Sequence, residues 1–170
     1  KNVPKIARAG WEESKSNGSD VVIFDTAGRL QIDNDLVGEL EALKKDVAKA
    51  GYTCLTSCVN ITDTEKFTES LEDLAKAHGG IGILVNNAGQ HMRGKLTESG
   101  VEQVDALFRI HVLAAMRLTE LALKDMTLKK HGNILFISSM SAYMGLQNVP
   151  GYSIAKSAIE GAVRQLAVEY

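Results

Sequence analysis

This sequence is poor in the features that would assign it to a special environment. It has two cysteines in 170 residues, Cys54 and Cys58. They fall four apart in a strand-like stretch, facing one side but too far apart along it to bond easily. They therefore read as reduced, buried residues, and no disulfide framework is expected. Neither sign of charge is in surplus, since nineteen Lys and Arg against twenty-one Asp and Glu give a net charge of -2. That balance argues against nucleic acid or an anionic membrane surface as a partner. No apolar run approaches the roughly 20 residues that cross a bilayer, and no signal-peptide core opens the chain, so a reducing, cytoplasmic location is expected. The four histidines are scattered, without an HExxH or a Cys-His cluster, and predict no metal site. Low-complexity segments, solenoid repeats and interdomain linkers are missing as well.

What is there is an ordinary globular composition, 45% hydrophobic and 24% charged, which suits a single domain over residues 1–170. A weakly amphipathic helix over 3–16 precedes Asp20–Asp25, a short apolar run bounded by acids, as expected of a parallel strand. From Asp33, a plausible N-cap, Leu36, Val37, Leu40, Leu43 and Val47 repeat at helical spacing until Gly51 stops them. The pattern recurs as strand 52–59, a loop with a Thr62 or Asp63 cap, helix 65–77, strand 81–86, a long helix 98–128, strand 133–138 and helix 153–170. Such alternation predicts an α/β fold, a three-layer, doubly wound parallel sheet of four strands that is Rossmann-like or flavodoxin-like.

The chemistry concentrates near the end of the chain. A four-residue step on a helix places Tyr152 and Lys156 on one face, close enough for an ammonium to act on a phenol. A phenol ordinarily keeps its proton to about pH 10, and a neighbouring cation favours the phenolate, so the pair suggests proton transfer. Ser139 closes the preceding strand, thirteen residues before Tyr152. With Asn86-Asn87-Ala88-Gly89 after the third strand, the order and spacing make residues from about 46 to 170 resemble the middle of a short-chain dehydrogenase/reductase, the family marked by NNAG and by Ser with YxxxK.

That resemblance implies NAD or NADP as cofactor and a small-molecule alcohol or carbonyl as substrate. Tyr152 would be the acid or base on the substrate oxygen, with Ser139 hydrogen-bonding the same oxygen. Lys156 would assist the tyrosine and hold the cofactor's ribose, while Asn86, Asn87 and Gly89, with Tyr152 and Lys156, would lie along the cofactor. It also implies a homodimer through helices 98–128 and 153–170, where Leu107, Leu113, Met116, Leu118, Leu121 and Leu123 supply more apolar surface than one sheet face needs. The chain departs from the family pattern in several places. His111 stands where a catalytic Asn is usual, and is expected to be a helix residue satisfied by a neighbour; Asn60 stands where an Asp often contacts adenine. The TGxxxGxG turn that cradles a pyrophosphate is missing, as are the family's last strands and substrate lid.

A second resemblance covers residues 6–45. Asp20 to Gln31, with its Asp25-Thr26-Ala27-Gly28-Arg29 core, is similar to the DTAGR segment of signal recognition particle GTPases, in which Asp25, Gly28 and Arg29 would lie near magnesium and phosphates. No GxxxxGK[ST] accompanies it, so GTPase activity is not expected, and Asp25 is read as a strand-end acid capping the following loop. The two resemblances together predict a composite, recombined or designed chain. With one strand filling the gap left by two, the expected strand order is 2-1-3-4. Three function classes follow: an NAD(P)-dependent oxidoreductase, an inactive chimeric scaffold, and a GTP-binding remnant.

Overall fold

A computed structural model describes residues 44–49, 59–77 and 79–170, together with Ser16, Gly51, Thr53, Leu55 and Ser57. The chain divides into two units, Lys1–Ala42 and Leu43–Tyr170. Of the first unit, Ser16 is described, and it is helical. The strand expected over 20–25, the GTPase-like segment around Asp25–Arg29 and both cysteines lie outside the described residues. All other described residues belong to the second unit.

Residues 44–49 are helical, as the periodicity up to Val47 predicts. Gly51 follows at φ 84, the left-handed geometry in which glycine ends helices, and its N–H donates to Ala48 O at 3.0 Å. In the stretch expected to be the strand 52–59, the described residues Thr53, Leu55, Ser57 and Val59 belong to no strand. Helix α1 runs Thr64–Ala77. Its start follows from the polar residues before it: Asn60 Oδ1 accepts from Thr62 N and Oγ1 at 3.0 and 2.8 Å, and Asp63 Oδ1 accepts from Lys66 N at 3.4 Å.

Two strands are described where four are expected. β1, Ile83–Asn86, and β2, Asn133–Phe136, pair in parallel with Ile83 opposite Asn133 and Asn86 opposite Phe136. Ile137 N adds one further bond to Asn86 O at 3.1 Å, where the ladder ends. Both strands are shorter than the apolar runs that announce them, because a run of apolar residues records burial and not ladder pairing. Leu84 and Asn86 face inward while Ile83, Val85, Leu135 and Ile137 are exposed on the other face.

The long helix expected between the strands is three pieces. α2 spans Leu96–Phe108 and is interrupted at Gly100, whose φ of 67 and ψ of -177 are not helical. A π-turn, Arg109–Leu113, follows, and α3 spans Ala114–Lys129. α3 ends where Lys130 turns left-handed at φ 53 and His131 N reaches back to Met126 O. After β2 comes a short 3-10 turn, Met140–Ala142, and then α4, Pro150–Glu169. α4 begins three residues before the predicted Ser153. Pro150 explains this, since its fixed φ suits a helix start and its missing N–H costs nothing there.

Among the described residues, two clusters of buried side chains pack around the strands and α4. Leu84, Ala122 and Met126 pack with Ile81, Leu118 and Ile134 between the strands and α3. Val112, Ala155 and Ile159 pack with Phe108, Met116, Phe136 and Ala158, tying the π-turn to α4. α4 also lies close against α2. A Cβ on Gly151 would fall 3.2 Å from both Val104 Cα and Leu107 Cδ1, so the glycine sets how near the two helices come. Among the described residues, no helix is long and apolar enough to cross a membrane.

Candidate active site

The predicted residues sit at the carboxyl ends of β1 and β2 and on the first turns of α4. Because α4 starts at Pro150, Tyr152 lies in its first turn and Lys156 one turn later on the same face. The Lys156 ammonium is 5.5 Å from the centroid of the Tyr152 ring. It is 4% exposed and donates to Ile137 O at 2.6 Å. Among the described residues, no carboxylate pairs with it. Burial pulls the Lys156 ammonium below the ordinary lysine range. Its described hydrogen bond is thus to a neutral carbonyl.

Ser139 precedes the 3-10 turn, and its Oγ accepts from Ser141 N at 3.2 Å and from Ser141 Oγ at 3.1 Å. With both acceptor positions taken, the Ser139 hydroxyl keeps its own hydrogen to donate. α4 is fastened to the same turn, since Ser157 Oγ donates to Ala142 O at 3.1 Å. Ser139 and Tyr152 are not hydrogen-bonded to each other; the turn and α4 hold them separately.

Asn86 ends β1, 8% exposed, with Nδ2 donating to Thr119 Oγ1 at 3.4 Å. Asn87 and Gly89 lie in the exposed loop that follows. The place of a Cβ on Gly89 is filled from within: it would stand 2.5 Å from His111 Cε1 and 3.0 Å from His111 Nδ1. Asn60, in the adenine-contacting place by resemblance, has its side-chain oxygen engaged in the loop before α1.

Two histidines that the sequence did not put at the centre flank Tyr152. His91 packs edge-on at 4.9 Å between ring centroids, and His111 at 5.2 Å. His91 comes two residues after Gly89, so its place in that loop was the available signal. The loop is held over the site by Gly94 N, which donates at 2.8 Å to the carbonyl of Asn148, itself left-handed at φ 62. His111 arrives through the π-turn, a form of helix found often at functional sites, which turns the ring inward. It is 3% exposed, and its Nε2 is 2.7 Å from Gln90 O. Burial keeps its pKa below the ordinary histidine value, with the Lys156 charge and His91 adding to that and the Gln90 carbonyl opposing it. The expectation that a neighbour satisfies His111 holds for Nε2 and not for Nδ1, which is buried without a partner.

The chain matches the family described as short chain dehydrogenase over residues 29–170. It is 29% identical over 151 residues to oxidoreductase UcpA of Salmonella typhimurium, covering 87% of this chain and 57% of that protein. General stress protein 39 of Bacillus subtilis is 31% identical over 163 residues, covering 95% of this chain and 54% of the relative. The chain thus spans about half the length of the curated relatives it matches. Among solved structures, a putative NAD(P)-dependent gluconate 5-dehydrogenase from Beutenbergia cavernae, with bound NADP at low occupancy, is similar with a TM-score of 0.70 and 27% identity over 76% of this chain and 52% of that one. NAD+-bound xylitol dehydrogenase, at 22% identity over 78% of this chain and 52% of that one, shares the fold with a TM-score of 0.71.

Proposed function

Because the chain belongs to the short-chain dehydrogenase family, we propose that it is an NAD(P)-dependent oxidoreductase that interconverts a small alcohol and its carbonyl. The observation that carries this reading is the buried Lys156 ammonium, 5.5 Å from the Tyr152 ring and held by one carbonyl. A cation without a carboxylate partner favours negative charge nearby, which a tyrosine needs to take a proton from an alcohol and return it to a carbonyl oxygen. Ser139, with its hydrogen free, donates to that same oxygen. The cofactor, when bound, supplies or takes the hydride. Asn86, Asn87 and Gly89 at the end of β1 would hold it, with Tyr152 and Lys156. This chain's residues fit such a group: Lys156 uses one of its three hydrogens on Ile137 O, and the 87–89 backbone is open to solvent.

The finer readings belong to the same proposal. One Rossmann-like domain with strand order 2-1-3-4 is supported by the β1–β2 pair, which is its 3-4 neighbour pair. A homodimer through helices 98–128 and 153–170 is supported by exposed Val101, Leu113, Leu128, Val163 and Val168. A cytoplasmic setting is supported by the sparse cysteines, Cys54 and Cys58, read from the sequence as reduced. A composite origin remains a second reading, supported by a family match that begins at Arg29, inside the DTAGR segment; the 95% coverage by general stress protein 39 argues against it.

Titration of the purified chain with NADH, NADPH and GTP, followed by turnover with a panel of alcohols and carbonyls, tests these readings. Binding of NADH or NADPH with turnover that Tyr152→Phe abolishes is the expected result. Binding of neither nicotinamide would favour an inactive scaffold, and GTP binding alone would favour the GTPase-like remnant.

A further inference from the structure

The chain carries twenty-one Asp and Glu among 170 residues, yet none falls within residues 80–97 or 126–159. Those two stretches supply β1 and the loop after it, β2, the 3-10 turn and the first turns of α4. The π-turn that brings His111 to Tyr152 has no acid either. The elements that meet at Tyr152 therefore bring positive charge without negative, in a chain whose net charge is -2. A site lined by one sign of charge concentrates ions of the other.

The cations of these elements are not equally engaged. Lys156 donates to Ile137 O at 2.6 Å, and Lys95 pairs with Glu98 at 3.7 Å where α2 begins. Arg93 is exposed and, among the described residues, pairs with no carboxylate. His91, two residues before it in the same loop, lies edge-on against the Tyr152 ring at 4.9 Å. The bond from Gly94 N to Asn148 O, at 2.8 Å, anchors the loop at the residue next to Arg93. The segment on the other side of that bond has the opposite character. Met140, Met144 and Leu146 are exposed there, and so is Ile154, two residues past Tyr152. Exposed apolar residues scattered singly need no explanation, but several so close along the chain, beside a reacting group, mark a surface for an apolar ligand.

We propose that the substrate is an anion with an apolar chain, an oxo acid or the hydroxy acid made from it, its carboxylate held by Arg93 and His91 and its chain lying along Met140, Met144 and Leu146. A guanidinium presents its donors in a planar fork that matches a carboxylate, and an imidazole keeps an N–H donor in either charge state. A neutral ester of nearly the same shape forgoes the charge that both recognise. This assignment rests on the proposed dehydrogenase reading and leaves its redox step unchanged. The carbonyl carbon receives the hydride of the reduced nicotinamide, the carbonyl oxygen receives the proton of Tyr152, and the carboxylate takes no part.

Binding is read first, without turnover. Nitrogen-15 NMR signals of the His91 ring and the Arg93 side chain are expected to move when the chain is titrated with 2-oxooctanoate, and to stay in place with its methyl ester. Movement with neither, or equal movement with both, overturns the anion site. With NADH or NADPH present, kcat/KM is expected to be about 10-fold higher for the acid than for the ester, the scale of a charge-assisted hydrogen bond at an exposed position. Arg93→Gln is expected to erase most of that preference and Arg93→Lys to keep part of it, while added salt weakens it in the unmodified chain. His91→Phe, which keeps a ring against Tyr152 but no donor, is expected to lower the preference by about 3-fold or more. A preference unchanged in Arg93→Gln overturns the assignment. So does an Arg93→Gln chain that loses nicotinamide binding and keeps the preference, since the cation would then serve the cofactor. A chain whose His91 and Arg93 signals respond to the acid, but which turns over neither compound, refutes the dehydrogenase reading and leaves the anion site standing.

Discussion

Gly89→Ala is the sharpest test of how the site is packed, because the space it would fill belongs to one identified side chain. The added Cβ would lie 2.5 Å from His111 Cε1 and 3.0 Å from Nδ1. Carbon atoms rest at about 3.5–4.0 Å, so the ring must retreat by about 1 Å. It has little room to do so. Its Nε2 is tied to Gln90 O at 2.7 Å, and Tyr152 stands edge-on 5.2 Å away. Overpacking of a tight site costs about 1–3 kcal/mol, and a displaced hydrogen bond adds about 1 kcal/mol. We expect Gly89→Ala to lose about 2–3 kcal/mol in urea unfolding followed by circular dichroism, which for a chain of this size corresponds to a Tm lower by roughly 4–12 °C. The double variant with His111→Ala separates this cause from a general intolerance of the loop. With the ring gone the new methyl group enters free space, so the double variant should be more stable than the sum of the single effects by about 1–2 kcal/mol. A Gly89→Ala protein within about 0.5 kcal/mol of wild type, or additivity within that margin, would refute the packing argument.

Leu107→Ala removes a fully buried side chain, 0% exposed, that packs beneath Gly151 at the α2–α4 contact, and should cost about 2–5 kcal/mol in the same urea assay. On the proposed dehydrogenase reading, in which Tyr152 is the acid-base group, Tyr152→Phe should lower turnover about 10²- to 10⁴-fold. Because no hydrogen bond among the described residues uses that hydroxyl, stability should stay within about 0.5 kcal/mol. The pH dependence of stability follows from two groups whose protonation burial disfavours, His111 below its ordinary 6.5 and Lys156 below its ordinary 10.5. In each case the unfolded chain binds more protons, so stability rises with pH up to the ordinary value. The His111 contribution is complete above pH 6.5 and is lost as pH falls through its lower folded value; the urea midpoint of His111→Phe should therefore fall less steeply in acid than that of wild type. Lys156→Met should likewise flatten the rise on the alkaline side, below pH 10.5.

The parts legible in the sequence are those where one residue type answers one local demand. Asp63, offered with Thr62 as a cap, announces the start of α1, Gly51 the end of the helix before it, and the four-residue step from Tyr152 to Lys156 their shared face. The strand pair and its parallel sense follow from the alternation of elements. The features that stay hidden depend on contacts between distant residues. The π-turn at Arg109–Leu113 adds one residue to a helical turn, and a periodicity of apolar positions cannot register a single inserted residue within a long run. Without it His111 reads as one more helix residue. Gly89 reads in sequence as a place where a ligand approaches the backbone; what the sequence does not show is that the side on which a Cβ would stand is taken by the ring of His111, a residue distant along the chain.

The site also shows why its residues gather where the ladder stops. Ile137 N makes the last bond of the β1–β2 ladder, to Asn86 O, and β2 itself has ended one residue earlier. The Ile137 carbonyl is therefore free of strand pairing and open to another donor. Lys156 is that donor, at 2.6 Å. A backbone acceptor at a strand end thus holds the ammonium without cancelling its charge, as a carboxylate in the same place would. A carboxylate partner would leave the phenol beside a neutral pair; the carbonyl leaves it beside a cation. On the proposed reading, the identity of the group that holds Lys156, more than the presence of the lysine, decides whether a cation stands beside Tyr152.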